Sequence, residues 1–343
     1  MNADDLAARA ASRRIVVLGG SLGALVAARE CAKVGLPVTV LGAADPAETA
    51  IDRFSLRGGH VQALLAEVGL DGDVIPAPPI TVPGAGSTSS PLPAESILGI
   101  PANPFAEDVR AVIGWRGAWR AYLDRLRPPL TIGAEQSLGR LVRTRMGARV
   151  HERLLEPAAR AEYGVGADDI NTDAAIPGLN AALTRVGSLS GAIAVLRGEN
   201  PALGAPAATL RGGLATLAAA LRDDLATLGA ELVPAAHAIA LQRAESGWIV
   251  TATVPAPEGE DTEVAGEMGD TAAERRWHAD AVISAQTDSA VGPEAALGIA
   301  TVGAAPGRRS LMHLIPDAIE VADGIRRTLL WGSDTVHPAS DGS

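Results

Sequence analysis

The sequence is poor in cysteine and aromatic residues, and it has no long apolar run. Of its 343 residues one is cysteine, Cys31, and only 3% are Phe, Trp or Tyr. A single cysteine excludes a disulfide framework, which is typical of proteins from a reducing cytoplasm. No uninterrupted apolar stretch approaches the length of a membrane-spanning helix. We therefore expect a cytoplasmic protein with peripheral membrane contact at most, and a core of Ala, Val, Leu and Ile.

Positive charge is scarce over the chain as a whole. The formal net charge is −11, which argues against nucleic-acid binding because that binding needs a basic surface. The six histidines are scattered and lack a cysteine partner, so no metal site is predicted. No triad or carboxylate pair stands out, and catalytic residues remain unassigned. Any redox chemistry would have to come from a cofactor.

The stretch from Arg14 to Glu30 organises the chain. A β-branched run is followed by a small-residue turn and an Ala-rich segment, which predicts a buried strand, a tight turn and a helix. This is the start of a Rossmann-type unit, in which backbone N–H groups of the turn approach a pyrophosphate. The predicted cofactor-binding residues of the turn are Gly19, Gly20, Ser21, Leu22, Gly23 and Ala24.

The match to a dinucleotide-binding turn is imperfect at two places. In the pattern G-x-G-x-x-G, Ser21 takes the second glycine position, where the dinucleotide approaches most closely, and Ala24 takes the third. The second strand, residues 37–41, ends at Gly42 instead of the acid that binds the ribose hydroxyls. Asp45 and Glu48 could supply a displaced acid on a different loop path.

Two other interpretations of this region are weaker. Residues 19–23 also spell G-x-S-x-G, the nucleophile elbow of α/β-hydrolases. That elbow follows several earlier strands, whereas only 18 residues precede Gly19. Ser12-Arg13-Arg14 before an apolar run is typical of a twin-arginine signal, but the run continues through charged residues into a second strand.

The middle of the chain is predicted to be helical. A helix is expected at 61–68, a Pro/Gly/Ser-rich loop at 76–94, and an all-helical block at about 97–200. Trp115, Trp119 and Tyr122 follow helical spacing, which predicts a core stripe, with stacking on a flat ligand as the alternative. Between residues 110 and 160 eleven arginines face four acids, which indicates a solvated face, or a surface for carboxylates or anionic lipid heads.

Strands return in the last third of the chain. Residues 211–213 precede an amphipathic helix with leucines at 214, 217, 221, 225 and 228. Strands are predicted at 231–233, 248–254 and 281–284, with a mobile hairpin tip between 255 and 274. After Pro293 no periodicity is evident until residues 328–331, and a polar tail follows.

The order of several phrases resembles the flavin-dependent protoporphyrinogen/coproporphyrinogen oxidases. After the Rossmann start, Leu98-Gly99-Ile100-Pro101-Ala102-Asn103-Pro104-Phe105, the helix at 137–147 and Leu155-Glu156-Pro157 look like that family. Later phrases that agree are Asp168-Asp169-Ile170-Asn171, Gly187-Ser188-Leu189, Leu210-Arg211-Gly212-Gly213-Leu214 and Gly247-Trp248. The resemblance runs from about Arg14 to about Ala285.

The resemblance implies an α/β fold in which a Rossmann-like FAD/NAD(P)-binding domain is interrupted by a helical substrate domain. The expected boundaries are 13–94 and 206–300 for the Rossmann-like domain, 95–205 for the helical domain, and 301–343 for a short C-terminal segment. The implied activity is FAD-dependent oxidation of a porphyrinogen in haem biosynthesis, with a tetrapyrrole as small-molecule partner. Arg57 and Arg160 would contact propionates, Ala161 would lie beside the substrate, and Ala238 would contact adenine through its backbone.

Departures from the family fall on the cofactor site. Besides Ser21 and Gly42, the family's glycine pair between residues 42 and 52 is missing, and no C-terminal glycine-rich FAD segment is found. We therefore predict FAD binding that is weak or absent. Two functions remain open: a divergent FAD-dependent porphyrinogen oxidase, and an inactive relative that binds a tetrapyrrole or a protein partner without flavin. The oligomeric state is not predicted.

Overall fold

The chain forms two compact units in a computed structural model. The structure describes residues 3–42, 53–56, 59–85, 89–127, 136–200, 203, 207–255, 272–284, 299–302 and 310–331. The first unit comprises Met1–Thr49, Ala215–Ala304 and Leu314–Ser343, and the second comprises Ala50–Leu214 and Ala305–His313. The domain boundaries given above stay a prediction.

A five-stranded parallel sheet forms the centre of the first unit. Its strand order is β14-β13-β1-β2-β9, with β1 at Ile15–Leu18, β2 at Val38–Leu41, β9 at Glu231–Val233, β13 at Ala281–Ser284 and β14 at Ala300–Thr301. Strand β1 is buried along its whole length, as its apolar run predicts for a central parallel strand. In register, Val17 lies between Val40 and Ile283. The predicted β-α-β start is therefore confirmed.

Helices and a second sheet complete the first unit. Its helices are α1 (Ala3–Ala11), α2 (Leu22–Ala32), α11 (Leu214–Thr227) and α12 (Leu311–Trp331). The first residue of α11, Leu214, and the first three residues of α12 belong to the second unit. An antiparallel sheet contains β10 (His237–Arg243), β11 (Trp248–Pro255) and β12 (Ala272–Ala279). Almost all of α2 is buried, including Arg29, whose guanidinium donates to Asp224. Burial raises the pKa of the Cys31 thiol in α2 to about 12, as suits a structural cysteine.

Helix α12 was missed by the sequence prediction. It contains Pro316, which lacks a backbone donor, and Gly324, which weakens helices, and both obscure its periodicity. Its buried positions nevertheless follow helical spacing, at Leu314, Ile315, Ala318, Ala322, Ile325 and Leu329. Tertiary packing of this apolar face therefore outweighs the unfavourable local residues.

The second unit is mainly helical. Its helices are α3 (His60–Glu67), α4 (Glu107–Tyr122), α5 (Leu138–Met146), α6 (Ala148–Val150), α7 (Glu156–Tyr163), α8 (Thr172–Ala175), α9 (Leu179–Val186) and α10 (Leu189–Glu199). A π-helical turn, His151–Leu155, joins α6 to α7. Ser137 and Ser188 begin α5 and α10 by accepting a hydrogen bond from the N–H three residues on. These caps explain why the helix starts were readable from the sequence.

Short strands also occur in the second unit, so two predictions need correction. The predicted loop at 76–94 contains β4 (Thr81–Pro83) paired with β5 (Ser89–Pro91), and it overlaps β3 (Val74–Pro76), which pairs with β8 (Ala208–Leu210). The predicted all-helical block begins with the hairpin β6 (Ser96–Ile97) and β7 (Ile100–Pro101). Strands of two or three residues are too short to show the alternation of apolar and polar residues that marks a strand, and the prolines in them favour a loop prediction.

The aromatic stripe of α4 is exposed, which makes the core prediction wrong. Trp115 is 59% exposed and Trp119 54% exposed. The buried residues of this helix are Val109, Val112 and Ile113 before the interruption at Gly114, and the small residues Gly117, Ala118 and Ala121 after it. A Cβ on Gly117 would lie 3.3 Å from Cδ of Arg149, so a larger side chain at this position would crowd the neighbouring α6.

Several arginines of the basic cluster are used for internal hydrogen bonds. Helix α4 is interrupted at Gly114, whose φ is +69°, and this interruption deprives nearby carbonyls of helical partners. Arg149 donates to the carbonyl of Ile113 and Arg153 to that of Val112, each at 3.0 Å. Part of the cluster therefore stabilises the helical unit and is not simply a solvated face.

Most of the hairpin tip predicted at 255–274 and the polar tail predicted after 331 lie outside the described residues. Among the described residues, no single helix has both the length and the apolar character needed to cross a bilayer. A bent pair, α9 and α10, passes that test on length and composition, with 118° between its helices.

Candidate functional site

The first candidate site is the turn between β1 and α2. Gly19 adopts a φ of +95°, a conformation that favours glycine, and its N–H donates to the carbonyl of Leu41 at 2.7 Å. The turn then enters α2, whose N-terminus is the place at which a Rossmann fold binds an anion. The structure thus brings the predicted residues 19–24 together at the carboxyl end of β1.

Ser21 is the N-cap of α2. Its hydroxyl accepts a hydrogen bond from the N–H of Ala24 at 3.2 Å, and its side chain is buried. In a phosphate-binding turn such N–H groups are available to the ligand. Here the protein itself satisfies one of them, and the serine Cβ and hydroxyl occupy space beside the turn.

The residue after the second strand has a backbone conformation that favours glycine. Gly42 has a φ of +112°, and a Cβ placed on it would lie 3.3 Å from the Cα of Gly19. A side chain at position 42 would therefore strain the backbone, and an acid cannot be accommodated there easily. The displaced candidates Asp45 and Glu48 lie outside the described residues.

Close packing also surrounds the start of α2. A Cβ on Gly23 would lie 2.6 Å from Val302 Cγ1 and 3.1 Å from Leu314 Cγ. Residues 20–24 are all buried. Taken with the Ser21 cap and the geometry of Gly42, the described residues of the turn do not fit tight binding of a dinucleotide. Ala238, the predicted adenine contact, lies in β10 opposite Ala252.

The second candidate site is a cleft of about 410 Å³ within the second unit. Most of its lining residues have apolar side chains, but polar atoms provide about half of its surface. The lining residues are Arg53, Ala77, Pro78, Pro79, Ile80, Leu92, Pro93, Ala94, Ser96, Leu98, Gly99, Ala158, Glu162, Leu203 and Ala207. The chain reaches the cleft from five separate stretches of sequence.

Arg53 and Glu162 are the charged residues of the cleft. The guanidinium of Arg53 donates to the carbonyl of Pro78 at 2.6 Å. Burial lowers the pKa of Arg53, and attraction to the buried Glu162 carboxylate opposes this shift. A partly desolvated guanidinium attracts an incoming anion more strongly than a fully solvated one does. The cleft is therefore suited to an apolar molecule that carries a carboxylate.

Sequence reasoning missed Arg53 and Glu162. They are 109 residues apart, and neither is part of a spaced motif. Next to Glu162, the fully buried Tyr163 stacks on His313, with ring centroids 6.2 Å apart. The one signal available was that Glu162 is an acid on the buried side of an amphipathic helix.

The predicted substrate residues have different surroundings. Arg57 lies outside the described residues. Arg160 is on α7, exposed, and pairs with Glu156 at 2.7 Å. Ala161 is half-buried on the same helix, between the cleft residues Ala158 and Glu162 in sequence. Their roles stay predictions.

A separate cluster of titratable groups is formed by Arg143 of α5, His151 of the π-helical turn and Asp168. Arg143 donates to Asp168 at 2.9 Å and lies 3.0 Å from Nε2 of the buried His151. The hydrogen bond from Arg143 holds the pKa of Asp168 below its usual value. Among the described residues, no group of three or more His, Cys, Asp or Glu side chains could hold a metal ion.

Comparisons with known proteins agree with the predicted resemblance. No family model matches the chain. The chain is 27% identical over 187 residues to coproporphyrinogen III oxidase of Propionibacterium freudenreichii subsp. freudenreichii, a match that covers 48% of this chain and 34% of the relative. It thus spans about a third of the length of that curated relative.

A solved structure shows the same fold. It comes from Exiguobacterium sp. 255-15, where it is named as a candidate protoporphyrinogen oxidase, and it has a TM-score of 0.54 at 20% identity. The match covers 80% of this chain and 59% of that chain. The predicted fold class, a Rossmann-like unit interrupted by a helical one, is confirmed. So is the resemblance to the protoporphyrinogen/coproporphyrinogen oxidases.

Proposed function

We propose that this chain is a divergent relative of the porphyrinogen oxidases that binds a tetrapyrrole carboxylate in the cleft of its second unit and holds FAD weakly or not at all. The resemblance implies FAD-dependent oxidation of a porphyrinogen, and it supplies the class of ligand. The observation that carries the proposal is the cleft, in which the half-buried Arg53 lies among residues that mostly have apolar side chains.

The cleft chemistry matches this class of ligand in two respects. Porphyrinogens are large apolar rings with propionate groups, and the walls contributed by Pro78, Leu92 and Leu98 suit the ring. Arg53 uses one donor on the Pro78 carbonyl, and a guanidinium has five donors in all. A propionate can therefore bind Arg53 through its other donors, in competition with Glu162.

Replacing Arg53 with glutamine should weaken porphyrin binding. A hydrogen bond to a charged group contributes about 1.5–3 kcal/mol, so we expect Arg53→Gln to raise the Kd about ten- to a hundredfold. Coproporphyrin is the probe, and its absorption and fluorescence changes on titration give the Kd. Arg211→Gln is the control, because Arg211 is 71% exposed and does not line the cleft.

The same titration tests the arginines proposed by resemblance. Arg57→Gln and Arg160→Gln should each weaken binding if these residues contact propionates. An unchanged Kd for Arg53→Gln, or no coproporphyrin binding by the unsubstituted protein, would show that the cleft is not a tetrapyrrole-binding site.

We expect the purified protein to contain no stoichiometric flavin. Without an acid at the end of the second strand, the charge-assisted hydrogen bonds to the ribose hydroxyls are lost, which alone should raise the Kd for FAD about ten- to a hundredfold. The capping of the turn by Ser21 should weaken binding further. The measurement is the visible spectrum after gel filtration, with release of bound nucleotide by heat. A yellow protein with close to one FAD per chain would contradict this prediction.

Active FAD-dependent porphyrinogen oxidation is the second candidate function. It is favoured by the strand, glycine turn and helix that the chain retains, with Gly19 in the conformation such turns use. A flavin-loaded protein that consumes oxygen with coproporphyrinogen would establish it. In that case the cleft residues would be candidates for positioning the substrate.

A further inference from the structure

We propose that Glu162 and Leu98 make the cleft selective for a pyrrole that carries one carboxylate beside an apolar group, and that they reject a second carboxylate on the same pyrrole. This inference rests on the proposed function, since it specifies which tetrapyrroles the cleft binds. Glu162 lies on α7 and Leu98 in the turn of the β6–β7 hairpin, and both line the cleft.

The cleft is small for a tetrapyrrole. Its volume of about 410 Å³ is near the lower end of the range of about 300–1,000 Å³ for clefts that bury a drug-sized ligand. A tetrapyrrole with all its side chains is larger than such a ligand. One pyrrole with its two side chains can therefore enter the cleft while the rest of the ring stays outside.

The charges of the cleft suit one incoming carboxylate. Among the lining residues that the structure describes, Arg53 is the one cation and Glu162 the one anion. Glu162 is only 8% exposed, and its negative charge attracts Arg53. A first carboxylate can bind the Arg53 donors that the Pro78 carbonyl leaves available. A second carboxylate would meet Glu162 without a further cation to offset the repulsion.

Leu98 contributes an apolar side chain to the cleft from a strained backbone. Its φ is +51°, and no other non-glycine residue in the described part of the chain has a positive φ. This conformation is unfavourable for a residue with a Cβ, and it persists where the surrounding structure imposes it, often at binding sites. Leu98 is 7% exposed, so the hairpin holds an apolar group at a fixed place, where a carboxylate finds no side-chain donor.

Two porphyrins differ at the group that these residues would distinguish. Each pyrrole of coproporphyrin carries a propionate and a methyl, whereas each pyrrole of uroporphyrin carries a propionate and an acetate. With the propionate on Arg53, the coproporphyrin methyl can lie against the apolar lining. The uroporphyrin acetate would instead become a desolvated carboxylate without a cationic partner. The cleft should therefore bind coproporphyrin and reject uroporphyrin.

Titration of the whole protein with both porphyrins tests this selectivity. We expect the Kd of uroporphyrin to exceed that of coproporphyrin at least about tenfold. The difference should persist at high salt, because salt screens the long-range repulsion from the net charge of −11 more than a contact inside the cleft. Equal Kd values would overturn the inference and leave the proposed function intact. Failure to bind coproporphyrin would overturn the proposed function, and the inference with it.

Heptacarboxyl porphyrin separates selection at one pyrrole from an effect of total charge. It has nearly the charge of uroporphyrin, but one of its pyrroles carries a methyl in place of the acetate. If one pyrrole enters the cleft, this porphyrin should bind about fourfold more weakly than coproporphyrin, because it has one suitable pyrrole instead of four. Binding as weak as that of uroporphyrin would contradict the inference.

The variant Glu162→Gln should bring the Kd values of coproporphyrin and uroporphyrin together. It removes the repelling charge and keeps the size of the side chain, so uroporphyrin should gain at least about tenfold relative to coproporphyrin. Glu152→Gln is the matched control, because it removes an exposed acid of the π-helical turn that does not line the cleft. A ratio of the two Kd values that stays the same in Glu162→Gln would show that Glu162 does not determine selectivity.

The variant Leu98→Asn tests the apolar group independently. Asparagine adopts the left-handed conformation more readily than leucine does, and its amide can donate a hydrogen bond to a carboxylate. We expect uroporphyrin to gain at least about threefold relative to coproporphyrin. Thermal unfolding followed by circular dichroism shows whether each variant is folded at the temperature of the titration. An unchanged ratio in folded Leu98→Asn protein would contradict the role of Leu98.

Discussion

Substituting Asp124 with asparagine should destabilise the protein by about 3–5 kcal/mol, because it leaves a buried guanidinium without its counter-ion. The Asp124 carboxylate forms an ion pair with the Arg145 guanidinium, with Oδ1 2.5 Å from Nε, and its Oδ2 accepts a hydrogen bond from the N–H of Leu189 at the start of α10. Asp124 has no exposed surface and Arg145 almost none. One carboxylate thus ties the turn after α4 to α5 and α10.

Denaturant unfolding followed by circular dichroism measures this effect, and the melting temperature should fall on the order of 10 °C. Glu199→Gln is the matched control, since it breaks the exposed pair between Arg185 and Glu199, at 2.7 Å. We expect that change to cost at most about 1 kcal/mol. The double variant Asp124→Leu/Arg145→Met should recover part of the loss, because no buried charge then remains. A loss below about 1 kcal/mol for Asp124→Asn would contradict the argument.

Substituting Gly99 with alanine should be comparably damaging, by about 2–5 kcal/mol from left-handed strain and steric overlap together. Gly99 lies in the turn of the β6–β7 hairpin with a φ of +75°. An added Cβ would lie 2.4 Å from the carbonyl oxygen of Leu154, a backbone atom that cannot rotate away. The hairpin or the π-helical turn would have to move.

The variant Gly59→Ala separates the effect of left-handed backbone strain from that of steric overlap. Gly59 has almost the same φ, +76°, but no atom lies within 4 Å of a Cβ placed there. That variant should show only the strain, about 1–2 kcal/mol. Because Gly99 also lines the cleft, Gly99→Ala should in addition weaken coproporphyrin binding, whereas Gly59→Ala should not. Equal losses for both alanines would mean that the Leu154 contact is easily relaxed.

The Rossmann-like start and most helices could be predicted from the sequence because their signals are local. The β-branched run at 15–18 and the glycine turn lie next to each other, and β1 is buried as such a run requires. Ser137 and Ser188 mark helix starts through hydrogen bonds that span three residues. The order of phrases preserved the family resemblance.

Only the tertiary structure decided which face of each helix is buried and which distant residues come into contact. Helical spacing placed Trp115 and Trp119 on one face, but in the folded unit the small residues of this part of the helix are buried and the rings stay exposed. Arg53 and Glu162 meet in a cleft although 109 residues separate them. Periodicity specifies which residues share a face, whereas burial and electrostatic pairing depend on contacts between distant segments, which a single sequence does not display.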